Sequence, residues 1–340
     1  MACVNQDLLF DIGKLLFEDG NRKDFFKFAL SGKEPFQAMK KYFSTFTILE
    51  LYDNYYVIGR EEEKCLTYKF RNDEPHSKFL LYHVGNCVQK LHIKAYFIKR
   101  QLYQLLFDKI VAKKQLISFS AAPSCDTTFL NEFLPKFSST LKNVIIPNIK
   151  MTRILRDTLN LDTLTISCQS FFSFVSFCCK TSTLVINNGL LPLSKWIPDS
   201  DKISPFLSSI KEITFNETEF HITVASLFKI TKYFSSLESL NFIISIEESV
   251  SRVATTERKI KWSIAELVEV MNVKNILIPE KVTFFFYKSI KATIPDLCHW
   301  KKYFIGFDYD ETNSDFYCFR KLYQTADSSQ TKTFEIQIAN

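Results

Sequence analysis

The residues best placed to do chemistry stand in the string FIGFDYDET at 304–312. Asp308 and Asp310 are two apart after an apolar run. Paired carboxylates are residue types that nucleophilic and acid–base chemistry draws on, and Thr312 completes the string. Other chemistry-bearing types are scattered. The five histidines, at 76, 83, 92, 221 and 299, show no ligand spacing and read as satisfied or exposed imidazoles. Of nine cysteines, Cys168, Cys178 and Cys179 come nearest to a cluster, and among phenylalanines they read as small buried residues. Seven glycines leave no GxGxxG and no GxxxxGK, and neither HExxH nor GxSxG is present. No cofactor and no metal are expected.

The Asp308, Asp310, Thr312 spacing resembles the first motif of haloacid-dehalogenase-type phosphatases. That resemblance implies a first Asp attacking phosphorus and a second serving as acid and base, with magnesium held by acids from a long doubly wound domain after the motif. Only residues 313–340 follow, so the string is read instead as an acidic loop at the end of a last strand. The chain is read as non-enzymatic.

A length of 340 residues exceeds one ordinary core and points to two domains, or to a small module with one elongated repeat domain. Hydrophobic residues at 46% and charged ones at 24%, with 7 Gly and 10 Pro, exclude disordered and collagen-like classes. The 34 Phe supply apolar area and specify no activity. A net charge of +6, with Lys and Arg spread among nearly as many acids, argues against a nucleic-acid partner. An odd number of cysteines without CxxC pairs reads as reduced thiols, and no basic region followed by an apolar core marks a secretory signal. A cytoplasmic or nuclear location is expected. The longest apolar run, 171–179, is broken by serines and falls short of the about 20 residues a bilayer requires, so no membrane partner is expected.

Three short apolar helices are expected in residues 4–43. Leu8, Leu9, Ile12, Leu15 and Leu16 recur at helical spacing, with Asn5 able to cap the start and Gly20 the end. A second helix follows Asp24 with Phe25, Phe28 and Ala29, and the pair Ser31-Gly32 stops it after Leu30. Pro35 opens a third, carrying Phe36, Met39 and Phe43. Helices this small leave apolar surface for a neighbour. The acid and leucine pair of the first helix, the isoleucine a turn later, the polar break and FALSG together resemble an F-box. Val4 and Asn5 stand where that family commonly has Leu-Pro, and Met39 where it often has Trp. The resemblance implies docking on a Skp-type adaptor of a cullin complex through Leu8, Leu9, Ile12, Leu15, Leu16, Phe25, Phe28 and Leu30.

From residue 88 an apolar-x-x-apolar-x-apolar pattern keeps returning, with central markers Leu91, Ile117, Val144, Leu164, Leu184, Ile213, Leu240, Ile276 and Ile305. Helix-like pieces, such as 97–114 and 221–234, lie between them, and an insertion falls at 249–261. Strand then helix, repeated at this period, predicts an α/β solenoid that resembles degenerate leucine-rich repeats. The fold class is therefore α/β. An F-box-like helical module spans 1–44, a linker with an atypical first repeat 45–87 and the irregular solenoid 88–311. A hairpin cap spans 312–340, built from DFYCFRKLY and TKTFEIQIA. REEEK at 60–64 is read as a solvated turn.

Strand alternation assigns the residues beside each marker to the concave side. These are Lys90, His92, Ser118, Asn143, Thr163, Thr165, Thr183, Glu212, Thr214, Ser239, Asn241 and Asn275. Basic Lys90, His92 and Lys94 fall at one end of this set and Asp308 and Asp310 at the other. Together the elements imply a substrate-recognition subunit of an SCF-type ubiquitin ligase, with a protein target on the strand face. The alternative is a repeat-based interaction scaffold unconnected to ubiquitin.

Overall fold

A computed structural model describes residues 5–20, 22–60, 66–72, 76–95, 100–123, 125–147, 153, 155, 159–167, 177–187, 204–216, 230–246, 279–288, 301–302, 304–310, 316–324 and 331–339. The chain is mixed α/β, with N-terminal helices and strands that are mostly parallel. It divides into two compact units at Val144/Ile145.

The first unit opens with α1 (Gln6–Glu18), α2 (Arg22–Leu30) and α3 (Lys33–Phe43). Asn5 caps α1 by accepting a hydrogen bond from the Asp7 amide at 3.0 Å, and Gly20 follows the helix at φ 77°, the left-handed region that suits glycine. Then come β1 (Ile48–Leu51), β2 (Tyr55–Arg60), β3 (Leu66–Arg71), α4 (Ser77–Val84), β4 (Lys90–Ile93), α5 (Arg100–Lys113), β5 (Ser118–Ala121) and α6 (Thr127–Phe133). The three strands β1, β2 and β3 form an antiparallel meander, while β4 runs parallel to β1 and β5 parallel to β4. The strand β6 (Asn143–Ile146) carries the division between units.

The register is set by one recurring device. A carbonyl just ahead of a strand accepts two amides from the start of the next one. Thr47 O takes Gln89 and Lys90 at 2.8 and 2.9 Å, Gln89 O takes Ile117 and Ser118 at 2.8 and 3.0 Å, and Ile117 O takes Lys142 and Asn143 at 2.8 and 3.0 Å. This brings Leu49, Leu91 and Phe119 into one fully buried row. Ile117, expected to mark that row, precedes the strand and is 39% exposed. Helices cover the buried side through Leu106 and Ile110 of α5, and through ring contacts of Phe107 with Phe129 and Phe133 at 4.9 and 5.5 Å. Neither α4 nor α6 was legible as a helix, although Asp126 caps α6 by accepting the Thr128 amide at 2.9 Å.

The second unit is built on β7 (Asn160–Ser167), β8 (Lys180–Asn187), β9 (Glu212–Asn216), β10 (Ser239–Ile246) and β11 (Lys281–Lys288), each parallel to the one before. Lys211 O repeats the device, accepting Glu238 and Ser239 at 2.7 and 3.0 Å. Leu164, Leu184, Ile213, Leu240 and Val282 form one buried row, and Ile166, Ile186, Phe215, Phe242 and Phe284 the next. Phe215, Phe242 and Phe284 stack in succession at 5.4 and 4.7 Å. Val282 takes the place beside Leu240, whereas the marker Ile276 lies outside the described residues, as do the insertion 249–261 and most of the piece 221–234.

After β11 the strand β12 (Asp308–Asp310) pairs antiparallel with β13 (Phe316–Gln324), and β13 with β14 (Thr331–Ala339). The expected C-terminal hairpin is thus present, and β14 lies parallel to β11, with Phe334 and Ile336 extending the two buried rows. Ile305 is no inward marker. It stands 83% exposed ahead of the short β12.

Leu164→Ala should lower stability by roughly 2 to 5 kcal/mol in denaturant unfolding, since a fully buried leucine is deleted from a continuous row. A change within about 0.5 kcal/mol is what a surface position would give.

Candidate functional site

In α1 the leucine-rich pattern resolves into two faces. Leu9, Gly13 and Phe17 turn inward, and a Cβ at Gly13 would meet the Phe28 ring at 3.3 Å, so α2 crosses α1 where the side chain is smallest. Phe17 anchors a cluster of edge-on rings, reaching Phe25 at 5.0 Å, Tyr42 at 5.3 Å and Tyr68 of β3 at 4.9 Å. Glu18 closes it, with Arg60 at 2.8 Å and the Tyr42 hydroxyl donating to it at 3.3 Å. Burial, with the nearby Tyr68 and Glu18, pushes the Tyr42 hydroxyl well up from its ordinary value. Arg60 is therefore a buried end of β2 and not part of a solvated turn, because the Glu18 carboxylate and the Tyr42 and Phe46 rings draw it in. Residues 61–64 of REEEK lie outside the described residues.

Among the described residues the other face of α1 has no such ring neighbours. Leu8, Ile12 and Leu15, at helical spacing i, i+4 and i+7, are 54%, 36% and 59% exposed, and Leu30 at the end of α2 is 66% exposed. Among the expected adaptor-binding residues the structure therefore separates two sets. Leu8, Ile12, Leu15 and Leu30 are open to a partner, with Leu16 and Phe28 half-buried. Leu9 and Phe25 are buried in the unit's own core, so the reading that gave them an adaptor contact is corrected. Both leucines of the pair are apolar, and spacing alone did not tell which one the core needs.

The strand face opposite the buried rows carries the expected polar residues. In the first unit Lys90 and His92 lie half-buried on β4, beside Ser118 and Ser120 of β5, with Asn143 on β6. Glu50 of β1 is level with His92, and Lys94 reaches the Glu50 carboxylate at 3.3 Å. Burial pulls the His92 pKa down, with Lys94 and Lys90 adding to the effect against Glu50. His83 of α4 is lowered in the same way by burial, then by Lys40 and Lys109.

In the second unit Thr163, Thr183, Glu212 and Ser239 make one lateral row, and Thr165, Val185, Thr214 and Asn241 the next. All are half-buried. The Asn241 amide donates to Glu212 at 2.7 Å and to Thr214 at 3.4 Å, so the rows are laced to each other. Asn275 lies outside the described residues. At the edge, Glu335 is buried on this face beside Arg320 at 3.1 Å and Lys281 at 3.6 Å, an arrangement that sequence alternation did not single out.

Asp308 and Asp310 stand on β12, an antiparallel edge strand, and Asp310 lies 3.8 Å from Arg320. Thr312 lies outside the described residues, as does Cys168. Burial pushes the Cys179 thiol up to about 12 and the Cys125 thiol up to about 11, which keeps both protonated and unreactive at neutral pH. Among the described residues no group of His, Cys, Asp and Glu is arranged to hold a metal ion, and no helix is long and apolar enough to cross a membrane. No protein-family model matches the chain, and no curated protein matches it.

His83 and His92 have folded pKa values below the ordinary 6.5, so below that pH the unfolded chain takes up protons that the folded one refuses. Stability should then fall as pH drops from 6.5, over the interval down to the folded values. The variant His83→Asn with His92→Asn should show a shallower decline in chemical unfolding between pH 7 and 5, and an unchanged slope would separate the decline from these two imidazoles.

Proposed function

We propose that this protein is a non-enzymatic substrate receptor of a cullin-based ubiquitin ligase. Helices α1–α3 form an F-box-like module that docks on a Skp-type adaptor. The following strands form a leucine-rich-repeat-like solenoid whose polar face holds the protein to be ubiquitinated. The observation that carries this reading is the outer stripe of α1. Leu8, Ile12 and Leu15 remain exposed on a helix whose opposite side is fully used by the core. Water-exposed leucine and isoleucine in one stripe form an apolar patch that a partner's groove would desolvate favourably.

A second reading, an interaction scaffold without an adaptor, is favoured by the ring cluster. Phe17 and Phe46 pack on Tyr68 of β3, so the three helices also serve as the cover of the first strands.

The test is co-precipitation of the adaptor with Ile12→Asp. At the partly exposed Ile12 the aspartate leaves the fold intact, while in a desolvated interface an unpaired charge costs several kcal/mol. Adaptor binding should be lost with the circular dichroism spectrum unchanged, and undiminished co-precipitation would favour the scaffold. Thr165→Arg with Thr214→Arg, which obstructs the lateral row that both share with Val185, should remove target association and spare the adaptor. If the same targets are lost only when the segment 221–234 is altered, the strand face is not where they bind.

A further inference from the structure

Helix α4 packs against both α3 and α5, and each of these neighbours brings a lysine to its last turn. Lys109 of α5 lies over the Tyr82 ring at 4.5 Å. Lys40 of α3 lies over the Phe36 ring at 4.9 Å, and Phe36 meets the His83 ring edge-on at 5.8 Å. Phe79 and Tyr82 also stand edge-on to His83, at 4.5 and 5.3 Å. His83, Lys40 and Lys109 are half-buried, and Tyr82 is exposed.

Both ammonium groups act on the same two side chains. The His83 pKa is lowered by burial, then by Lys40 and by Lys109. The Tyr82 pKa is lowered by a hydrogen bond that Lys109 donates to its oxygen and by the Lys109 charge, with Lys40 adding to the effect. The acids of the three helices are placed elsewhere. Asp108 accepts Gln104 at 2.9 Å, Asp7 takes Lys41 at 3.4 Å, and Glu34 stands in the first turn of α3 whereas Lys40 stands in the last. Lys78, a turn before Tyr82 on α4, and Lys113, a turn after Lys109 on α5, carry charge of the same sign as the pair. The segments that meet at this end, 33–47, 76–90 and 103–118, are all described, and Ser77, where the chain enters α4, is about two turns of helix from His83.

We propose that Lys40, Lys109, Tyr82 and His83 hold a phosphate dianion, free or carried as a monoester. Two ammonium groups call for two negative charges, which a phosphate monoester supplies near neutral pH. A carboxylate or a phosphodiester supplies one. The terminal oxygens of the phosphate accept from the ammonium N–H groups and from the Tyr82 hydroxyl, in charge-assisted hydrogen bonds. The lysine stems lie against rings before any ligand arrives, so less side-chain entropy remains to be lost on binding. A bound dianion also reverses the field at His83. The imidazole that the lysines and burial hold neutral then takes a proton from solution and becomes a third cationic donor. The site uses no residue of α1 and none of the strand faces, so it goes beyond the receptor reading and is independent of it.

The experiment is an NMR titration of the full chain carrying isotope-labelled histidine, with the His83 ring signal identified by its loss in His83→Asn. At constant ionic strength the probes are inorganic phosphate, N-acetyl-phosphoserine amide, dimethyl phosphate and acetate. One or both of the first two should shift the His83 signal saturably and raise its pKa, and which binds tighter tells a free phosphate from a monoester. Dimethyl phosphate and acetate, with one charge each, should leave the signal in place, and the His92 signal should stay unmoved by all four. Lys40→Gln with Lys109→Gln should raise the His83 pKa before any ligand is added and weaken phosphate binding about tenfold or more, with the circular dichroism spectrum unchanged. The Ile12→Asp chain should bind phosphate as the parent does, so that failure of the adaptor reading leaves this result intact. No saturable shift with either dianion, an equal response to dimethyl phosphate or acetate, an equal shift of His92, or undiminished binding in the lysine variant would each overturn the proposal.

Discussion

Successive strands are held in register by carbonyls that lie just ahead of them, each taking two amides from the start of the next strand. Thr47, Gln89 and Ile117 do this in the first unit and Lys211 in the second. Because side chains alternate with a period of two, fixing the register of one strand against the next fixes which residues are buried throughout. A slip of one place would bring Lys90, His92, Glu212 and Asn241 into the core and turn Leu91, Ile213 and Leu240 outward. The cost of burying those charges and amides is what makes the alignment unique.

That constraint also governs the N-terminal helices. β1, β2 and β3 present Tyr56, Tyr68 and Phe70 on the side opposite Glu50 and Tyr55, and these rings need a cover. Helices α1 and α3 provide it through Phe17, Tyr42 and Phe43, with Arg60 and Glu18 satisfying one another where the apolar cluster ends. A helix can bury only part of its circumference against one layer. The leucines and isoleucine on the far side of α1 therefore stay exposed, and the proposed adaptor contact is the use that the receptor reading gives them.

Much of the strand core was legible because alternation needs only a local pattern. Leu91, Val144, Leu164, Leu184, Ile213 and Leu240 are all buried at the expected parity. The cap at Asn5, the helix inside 97–114 and the C-terminal hairpin rest on equally local signals. Where the pattern failed, a long-range contact decided. Ile117 is apolar and in phase, yet the strand begins one residue later and Phe119 fills the row. The place beside Leu240 went to Val282, in a strand whose three successive phenylalanines hide the alternation. Arg60 reads as the start of a charged turn until Glu18, far away in sequence, is brought to it. Tyr52, Tyr55, Lys69 and Lys94 come from four separate places, and the pairing of β1 with β2 and β4, and of β2 with β3, collects them.

The receptor reading requires that the outer face of α1 dock on a Skp-type adaptor. Amide hydrogen exchange of the full chain, measured by mass spectrometry with and without the purified adaptor, tests it most directly. Exchange should slow in the peptides spanning Leu8–Leu16 and around Leu30, with the strand peptides of both units unchanged. Identical exchange in α1 with adaptor present in excess would contradict it.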